Sequence, residues 1–230
     1  MRRSYAAYAA GAVAAAVSAV LAAPAGTLVG SAALRHGSAV AWLKEGSVAL
    51  HPAPGSPQVS ATVAGRTEFG SRTSLPVVAA RGEWLEVIST QLRNGVHGFV
   101  RRWQLRLTRS PLTIDVDLSG RLLRVWRRGT AVLRVAVGIG AARSPTPIGR
   151  FGVTDKLTGF NPAAYGCCIL ALSAHQTHLP SGWAGGDRIA IHGGGGIGAA
   201  TSNGCLHATE AVLHWLMRRV GLGTQVVIHP

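Results

Sequence analysis

In the second half of the chain, apolar and polar residues alternate in short runs divided by turn formers. Thr113-Ile114-Asp115-Val116-Asp117-Leu118 has a period of two and predicts a strand. Ser119-Gly120 turns the chain, and Arg121 to Trp126 predicts the returning strand of a hairpin. Arg127-Arg128-Gly129 turns again before a third strand at Val132 to Ile139. Ser144 to Gly149 holds two prolines and predicts a rigid loop, with a strand from Arg150 to Thr154 after it. Arg188-Ile189-Ala190-Ile191 predicts a short buried strand ending at His192. Only one segment has a convincing helical period. Thr209 is its N-cap and Glu210 lies in its first turn, while Val212, Leu213, Leu216 and Val220 make an apolar face. Arg218 and Arg219 suit its C-terminal end, and Gly221 ends it. Gly223 to Ile228 closes the chain as a strand.

The first half reads differently. Val48 to Leu107 contains short strands with close turns, at Val48-Ala49-Leu50-His51, Thr73 to Ala79, Trp84 to Ile88 and Gly98 to Trp103. This predicts a small β-barrel over residues 45–108. Thr27 to Lys44 has no strong period and reads as a linker over 26–44. Ser110-Pro111 marks a boundary, so a second, mainly β domain is expected over 112–230.

The N-terminus bears on compartment. Met1-Arg2-Arg3 is basic, Ala6 to Ala23 is uncharged and rich in Ala and Val, and Ala23-Pro24-Ala25 offers a small-x-small cleavage site. Residues 1–25 therefore read as a secretory signal. The run is close to the ~20 residues that span a bilayer, which leaves a membrane anchor as the alternative. Either way the body of the protein is expected outside the cytoplasm.

Among the 230 residues, 47% are hydrophobic and 14% charged, which excludes a disordered chain. The formal net charge is +14, and the excess is spread over both halves. A spread excess suits a polyanionic surrounding such as an anionic cell wall. No nucleic-acid motif accompanies the charge, so nucleic acid is not an expected partner.

Three cysteines in an exported chain leave an odd thiol. The adjacent Cys167 and Cys168 read as two small buried hydrophobes rather than a vicinal disulfide. Cys205 is then the reactive candidate, in Ser202-Asn203-Gly204-Cys205-Leu206, shortly after Ile191-His192-Gly193. His192 can activate a thiol as a base or, when charged, by lowering its pKa. The glycines let backbone N–H groups converge as an oxyanion hole requires. The helix that follows is expected to put its positive end near the thiol.

These segments, in this order, resemble the L,D-transpeptidase (YkuD-like) catalytic domain over residues 112–230. The resemblance rests on the Asp115–Trp126 hairpin, Thr146-Pro147-Ile148-Gly149-Arg150-Phe151, Ala190-Ile191-His192-Gly193, Ser202-Asn203-Gly204-Cys205-Leu206 and Gly223 to Ile228. It implies a β-sandwich with one helix beside the active loop. It implies that Cys205 attacks a peptidoglycan stem tetrapeptide ahead of its terminal D-Ala, and that a second stem's amine resolves the thioacyl-enzyme as a 3→3 crosslink. Donor and acceptor stem peptides are thus the implied partners, with no cofactor and no metal. His192 becomes the general base and acid, oriented by the Gly193 carbonyl. The backbone N–H groups of Asn203, Gly204 and Cys205 become the oxyanion donors, with Ser202 and His207 at the substrate. This chain has Asn203 where the family often has His, and His207 where it usually has Arg. The Gly82–Val87 and Gly98–Val100 segments resemble bacterial SH3-like domains, which often accompany cell-wall enzymes.

The rival readings are a catalytically impaired wall-binding protein that keeps the fold, to which His207 points, a carboxypeptidase or protein-to-wall ligase on the same scaffold, and, more weakly, a zinc peptidase. His175 and His178, with His192, His207 and Cys205, offer a zinc set, but the spacing is no zinc-protease motif and no acidic base lies beside it. Their alternative role is to line or support the substrate cleft. Gly193 to Gly198 matches a dinucleotide fingerprint in letters alone, since no βαβ unit follows it.

Overall fold

The computed structural model describes residues 37–159, 162–183 and 185–230. The expected leader over 1–25 and the linker as far as residue 36 lie outside the described residues. The fold is mainly β, with two separate hydrophobic cores.

The first core gathers Ala41, Leu50, Leu75, Leu85, Val87 and Val100 with their neighbours. Around it, β1 (Ser38–Leu43), β4 (Ser74–Arg81), β5 (Trp84–Val87), β6 (Gly98–Arg101) and β7 (Leu105–Ser110) form an antiparallel sheet in the order β6-β5-β4-β1-β7. A hairpin of β2 (Ser47–Leu50) and β3 (Ala61–Ala64) closes over it and is bridged to the sheet at His51 and Phe99. The expected linker is corrected here. Its last residues, Ser38–Leu43, form a strand paired on both sides, with β4 and with β7. Val40, Ala41 and Leu43 are buried, and a strand with successive buried positions lacks the alternation that would have disclosed it.

Pro111 alone separates β7 from β8 (Leu112–Asp117), the first strand of the second unit. The predicted hairpin is present as β8 and β9 (Leu122–Arg127), in register from Leu112↔Arg127 to Asp117↔Leu122. Alternation works well here. Ile114 and Val116 are buried, while Asp115 and Asp117 turn outward to Arg124 at 3.2 and 3.4 Å. The third expected strand is divided. β10 (Thr130–Ala136) forms the sheet edge, and the chain then leaves to make β11 (Ile139–Gly140). The break falls at Gly138, where a Cβ would stand 2.7 Å from the Gly196 carbonyl oxygen.

The main sheet adds β12 (Gly149–Thr158), β13 (Cys168–His175), β14 (Arg188–His192), β16 (Leu206–His207) and β17 (Gln225–His229), in the order β10-β9-β8-β17-β12-β13-β14-β16. β15 (Ala200–Ser202) pairs with β11 in a separate ribbon. A short α1 (Pro162–Tyr165) precedes β13, and the predicted helix is α2 (Glu210–Arg219). Leu213 and Leu216 of α2 are fully buried in the core beside Leu170 and Leu172 of β13.

A polar seam joins the two units. Thr67 donates its hydroxyl to the buried Asp155 carboxylate at 2.5 Å, and Arg188 pairs with Glu68. Asn94 makes two hydrogen bonds with the His175 backbone, at 2.6 and 2.9 Å. Gln225 donates to the Val77 carbonyl at 3.0 Å. Two glycines let side chains of the first unit seat on the backbone of the second: a Cβ at Gly152 would meet the Pro76 ring, and one at Gly223 the Val40 side chain, each at 2.2 Å.

Candidate active site

Residues i, i+2 and i+4 of a strand share a face, so β14 presents Arg188, Ala190 and His192 together. β16 lies parallel beside it, with Ile191 opposite Leu206 and His192 opposite His207. This register sets Cys205, the residue before β16, next to the strand that carries His192. Cys205 is half-buried as a residue, but its sulfur turns onto β14 and lies 4.0 Å from the Arg188 carbonyl. Cys205 and His192 open into the same cavity of about 570 Å³.

The His192 ring is buried, at 6% exposure. Its Nδ1 lies 2.5 Å from the Gly193 carbonyl oxygen. A carbonyl only accepts, so Nδ1 carries the proton and Nε2 keeps the lone pair. Burial lowers the His192 pKa to about 4, more than the Gly193 bond raises it, and His207 lowers it further. The imidazole is therefore neutral at pH 7. Burial also pushes the Cys205 thiol up, against a smaller opposing effect of the Ala190 backbone. These directions favour a neutral base over the charged imidazole that the sequence also allowed.

The turn before the thiol is held by its own side chains. Ser202 Oγ donates to the Cys205 carbonyl at 2.6 Å and accepts the Gly204 N–H at 3.1 Å. Of the three expected oxyanion donors, the Gly204 N–H is thus already engaged. The Asn203 and Cys205 N–H groups have no acceptor among the described residues. Gly204 has φ +114°, a conformation that favours glycine, and its carbonyl accepts from Thr146 Oγ1 at 2.8 Å. Gln176 closes the turn from behind, donating to the Asn203 carbonyl at 2.9 Å and to that of Pro145 at 3.1 Å.

His207 stands beside His192, with ring centroids 4.8 Å apart, and its Nδ1 lies 2.8 Å from the Gly195 carbonyl. It lines the same cavity. His175 does not line it. Its ring is held in the seam, 2.9 Å from the Asp187 carboxylate and 2.9 Å from the Thr90 carbonyl. His178 is absent from the cavity wall as well. Neither histidine joins His192 and Cys205 or lines the cavity; of the expected roles, only support fits, since His175 bonds Asp187 and the His178 N–H donates to Gln176 Oε1 at 3.0 Å, both residues of the cavity wall.

Sequence reasoning missed several cavity residues. Tyr165 sets its ring edge-on to His192 at 5.0 Å. Arg143 and Trp183 line the walls, and Phe69 reaches in from the first unit. No local signal marks Phe69, because it comes to the cleft through the seam contacts of its neighbours Thr67 and Glu68. Cys167 and Cys168 are also corrected: they are joined by a disulfide, and Cys205 is the free cysteine.

Residues 111–228 match the family model for the YkuD L,D-transpeptidase catalytic domain. The chain is similar to the L,D-transpeptidase YkuD of Bacillus licheniformis, with 30% identity over an alignment of 126 residues that covers 52% of this chain and 67% of that one. Among solved structures it is similar to a mutant L,D-transpeptidase from Enterococcus faecium, at 22% identity and TM-score 0.40 over 52% of this chain and 50% of the other. The likeness to an L,D-transpeptidase from Mycobacterium smegmatis has TM-score 0.45 at 15% identity, over 83% of this chain and 98% of that one. The chain spans about half the length of the Enterococcus faecium structure. With about half of its residues matched to that domain, the chain belongs to the YkuD family of L,D-transpeptidase catalytic domains.

Proposed function

We propose that this protein is an extracytoplasmic L,D-transpeptidase that forms 3→3 crosslinks between peptidoglycan stem peptides. The reading is carried by one observation: a buried, neutral His192, with Nδ1 tied to the Gly193 carbonyl, shares a cavity with the free thiol of Cys205. In the acylation step, Cys205 Sγ attacks the carbonyl between the third stem residue and the terminal D-Ala. Its proton passes to His192 Nε2. The Asn203 and Cys205 N–H groups stabilise the negative oxygen of the tetrahedral intermediate. His192 then protonates the leaving D-Ala amine, and a thioester remains on Cys205. The side-chain amine of a second stem attacks that thioester and gives a proton to His192, and the thiol is restored as the new amide forms.

The first unit is an SH3-like module in this reading, and the net charge of +14 helps hold the protein in an anionic wall. Residues 1–25 deliver it there as a signal or an anchor. Purified protein and its Cys205→Ala variant are mixed with disaccharide-tetrapeptide and followed by mass spectrometry. Loss of D-Ala and new 3→3 dimers, both absent in Cys205→Ala, are expected. Tripeptide without dimers would make the protein a carboxypeptidase on the same scaffold. No change in substrate or protein mass, with a folded sample and a reduced Cys205, would make it an impaired wall-binding protein.

A further inference from the structure

The Cys167–Cys168 disulfide lies at the head of β13, directly behind the site. The residue after it, Ile169, pairs with His192 across β13 and β14. The residues before it touch the same place from the other side. The Tyr165 carbonyl accepts the Gly193 N–H at 2.7 Å, and the Tyr165 ring meets His192 edge-on. Gly166 packs so closely that a Cβ on Gly193 would lie 2.7 Å from the Gly166 Cα. The segment from Tyr165 to Ile169 therefore braces both His192 and the glycine whose carbonyl orients it.

The disulfide has a chemical neighbourhood of its own. The Cys167 N–H is shared by the two Glu210 carboxylate oxygens, at 3.1 and 3.2 Å. One turn along α2, the exposed His214 places Nδ1 3.9 Å from Cys167 Sγ. Cys168 is buried, whereas Cys167 is half-buried beside an imidazole that can give or take a proton. A partly exposed disulfide cysteine with an imidazole beside its sulfur is where thiol–disulfide exchange can begin.

We propose that Cys167–Cys168 is a reversible thiol–disulfide exchange site for a dithiol reductant, and that its oxidised form positions His192. The inference rests on the reading of Cys205 and His192 as the working pair. A thiolate of the dithiol attacks Cys167 Sγ, the Cys167–Cys168 bond breaks, and its electron pair goes to Cys168 Sγ, which takes a proton. The second thiolate of the reductant then attacks the mixed disulfide on the reductant's own sulfur. Cys167 leaves as a thiolate and is protonated by way of His214. In sum, two electrons and two protons pass to the protein while the dithiol becomes a disulfide. The ring that fixed the turn is then open. The Gly193 N–H to Tyr165 bond and the ring contact on His192 loosen, and the Gly193 carbonyl orients the imidazole less firmly. Cys167 and Cys168 act through His192 and are positioning residues.

The test holds the protein at graded ratios of reduced to oxidised dithiothreitol, with alkylation and peptide mass spectrometry reporting Cys167, Cys168 and Cys205 separately. D-Ala release is measured on the same samples while Cys205 stays a free thiol. We expect turnover to fall roughly fivefold as the pair is reduced, the size of one lost hydrogen bond. The Cys167→Ser/Cys168→Ser double variant should sit at the lower rate and ignore the ratio. Independently of turnover, the His192 Nδ1–H resonance should exchange faster with water in the reduced form. A pair that resists the dithiol, or a fully reduced pair with unchanged Nδ1–H exchange, overturns the inference. If the resonance responds as expected and no D-Ala is released in either state, the positioning role stands and the transpeptidase reading fails.

Discussion

His192 and His207 stand opposite each other on paired strands, their rings 4.8 Å apart and tilted by 54°. His192 is buried, and burial is the main reason its pKa falls to about 4, with the neighbouring His207 adding a smaller effect in the same direction. Burial moves the Cys205 thiol the other way. At neutral pH the pair is therefore a thiol and a neutral base, not a thiolate and an imidazolium. The acidic limb of the rate of Cys205 acylation should lie near pH 4, with a plateau through pH 6.5. The proton moves during attack, so a solvent isotope effect should accompany the plateau. A limb near pH 6.5, or thiolate absorbance at pH 6 that is missing in Cys205→Ala, would refute this.

The same shift couples His192 to folding. An unfolded histidine titrates near its ordinary value of 6.5, and the folded one near 4. Between those values the unfolded chain binds a proton that the folded chain does not, so stability falls as pH falls. The full contribution is present above pH 6.5, and roughly 3 kcal/mol is lost by pH 4. Urea midpoints for the native protein and His192→Gln, taken at steps from pH 7 to pH 4, measure it. The variant should lose less over this range, and parallel curves would show that His192 is not the group responsible.

Gly204 and Gln176 make a third test. A Cβ at Gly204 would lie 2.0 Å from Gln176 Nε2, on backbone with φ +114°. The Gln176 amide cannot retreat without losing its bonds to the Asn203 and Pro145 carbonyls. Gly204→Ala should cost about 2 kcal/mol of stability, from backbone strain and a displaced amide. Acylation of Cys205 should fall by more than the melting temperature alone would explain, because the Asn203 and Cys205 N–H groups turn with the loop. Unchanged acylation in a folded variant would mean that this loop does not set the thiol's geometry.

The legible parts of the fold were those with a clear period. The β8–β9 hairpin buries one face, and α2 buries one stripe, so both declared themselves in sequence. β13 is buried at seven successive positions and β1 buries two in a row, so neither alternates. His192 and Cys205 were legible because the site gathers short glycine-flanked motifs on neighbouring strands. The disulfide was not, since adjacent cysteines look alike in either redox state. Phe69 and His175 took their places through contacts between units, and a linear pattern does not record which distant residues will meet.

Arg188 ties those long-range contacts to the site, and it gives the sharpest test of them. It begins the strand that ends at His192, and its own carbonyl faces Cys205 Sγ. Its guanidinium donates to the Leu172 carbonyl through Nε at 2.9 Å and to Thr154 Oγ1 at 2.7 Å, and it also pairs with Glu68. The Arg188 side chain is 11% exposed, whereas that of Glu68 is 45% exposed. The two partners should therefore respond unequally. Arg188→Met strands a buried carbonyl and should destabilise by about 2–4 kcal/mol. Glu68→Gln leaves the arginine its other acceptors and should cost at most about 1 kcal/mol. Phe69→Ala should leave stability nearly unchanged but remove a wall of the cavity, so KM for the donor peptide should rise while kcat holds. Thermal melts and steady-state kinetics on the three variants separate these effects. Equal losses for Arg188→Met and Glu68→Gln would place the energy of the seam in the ion pair itself. An unchanged KM in Phe69→Ala would detach the first unit from substrate choice.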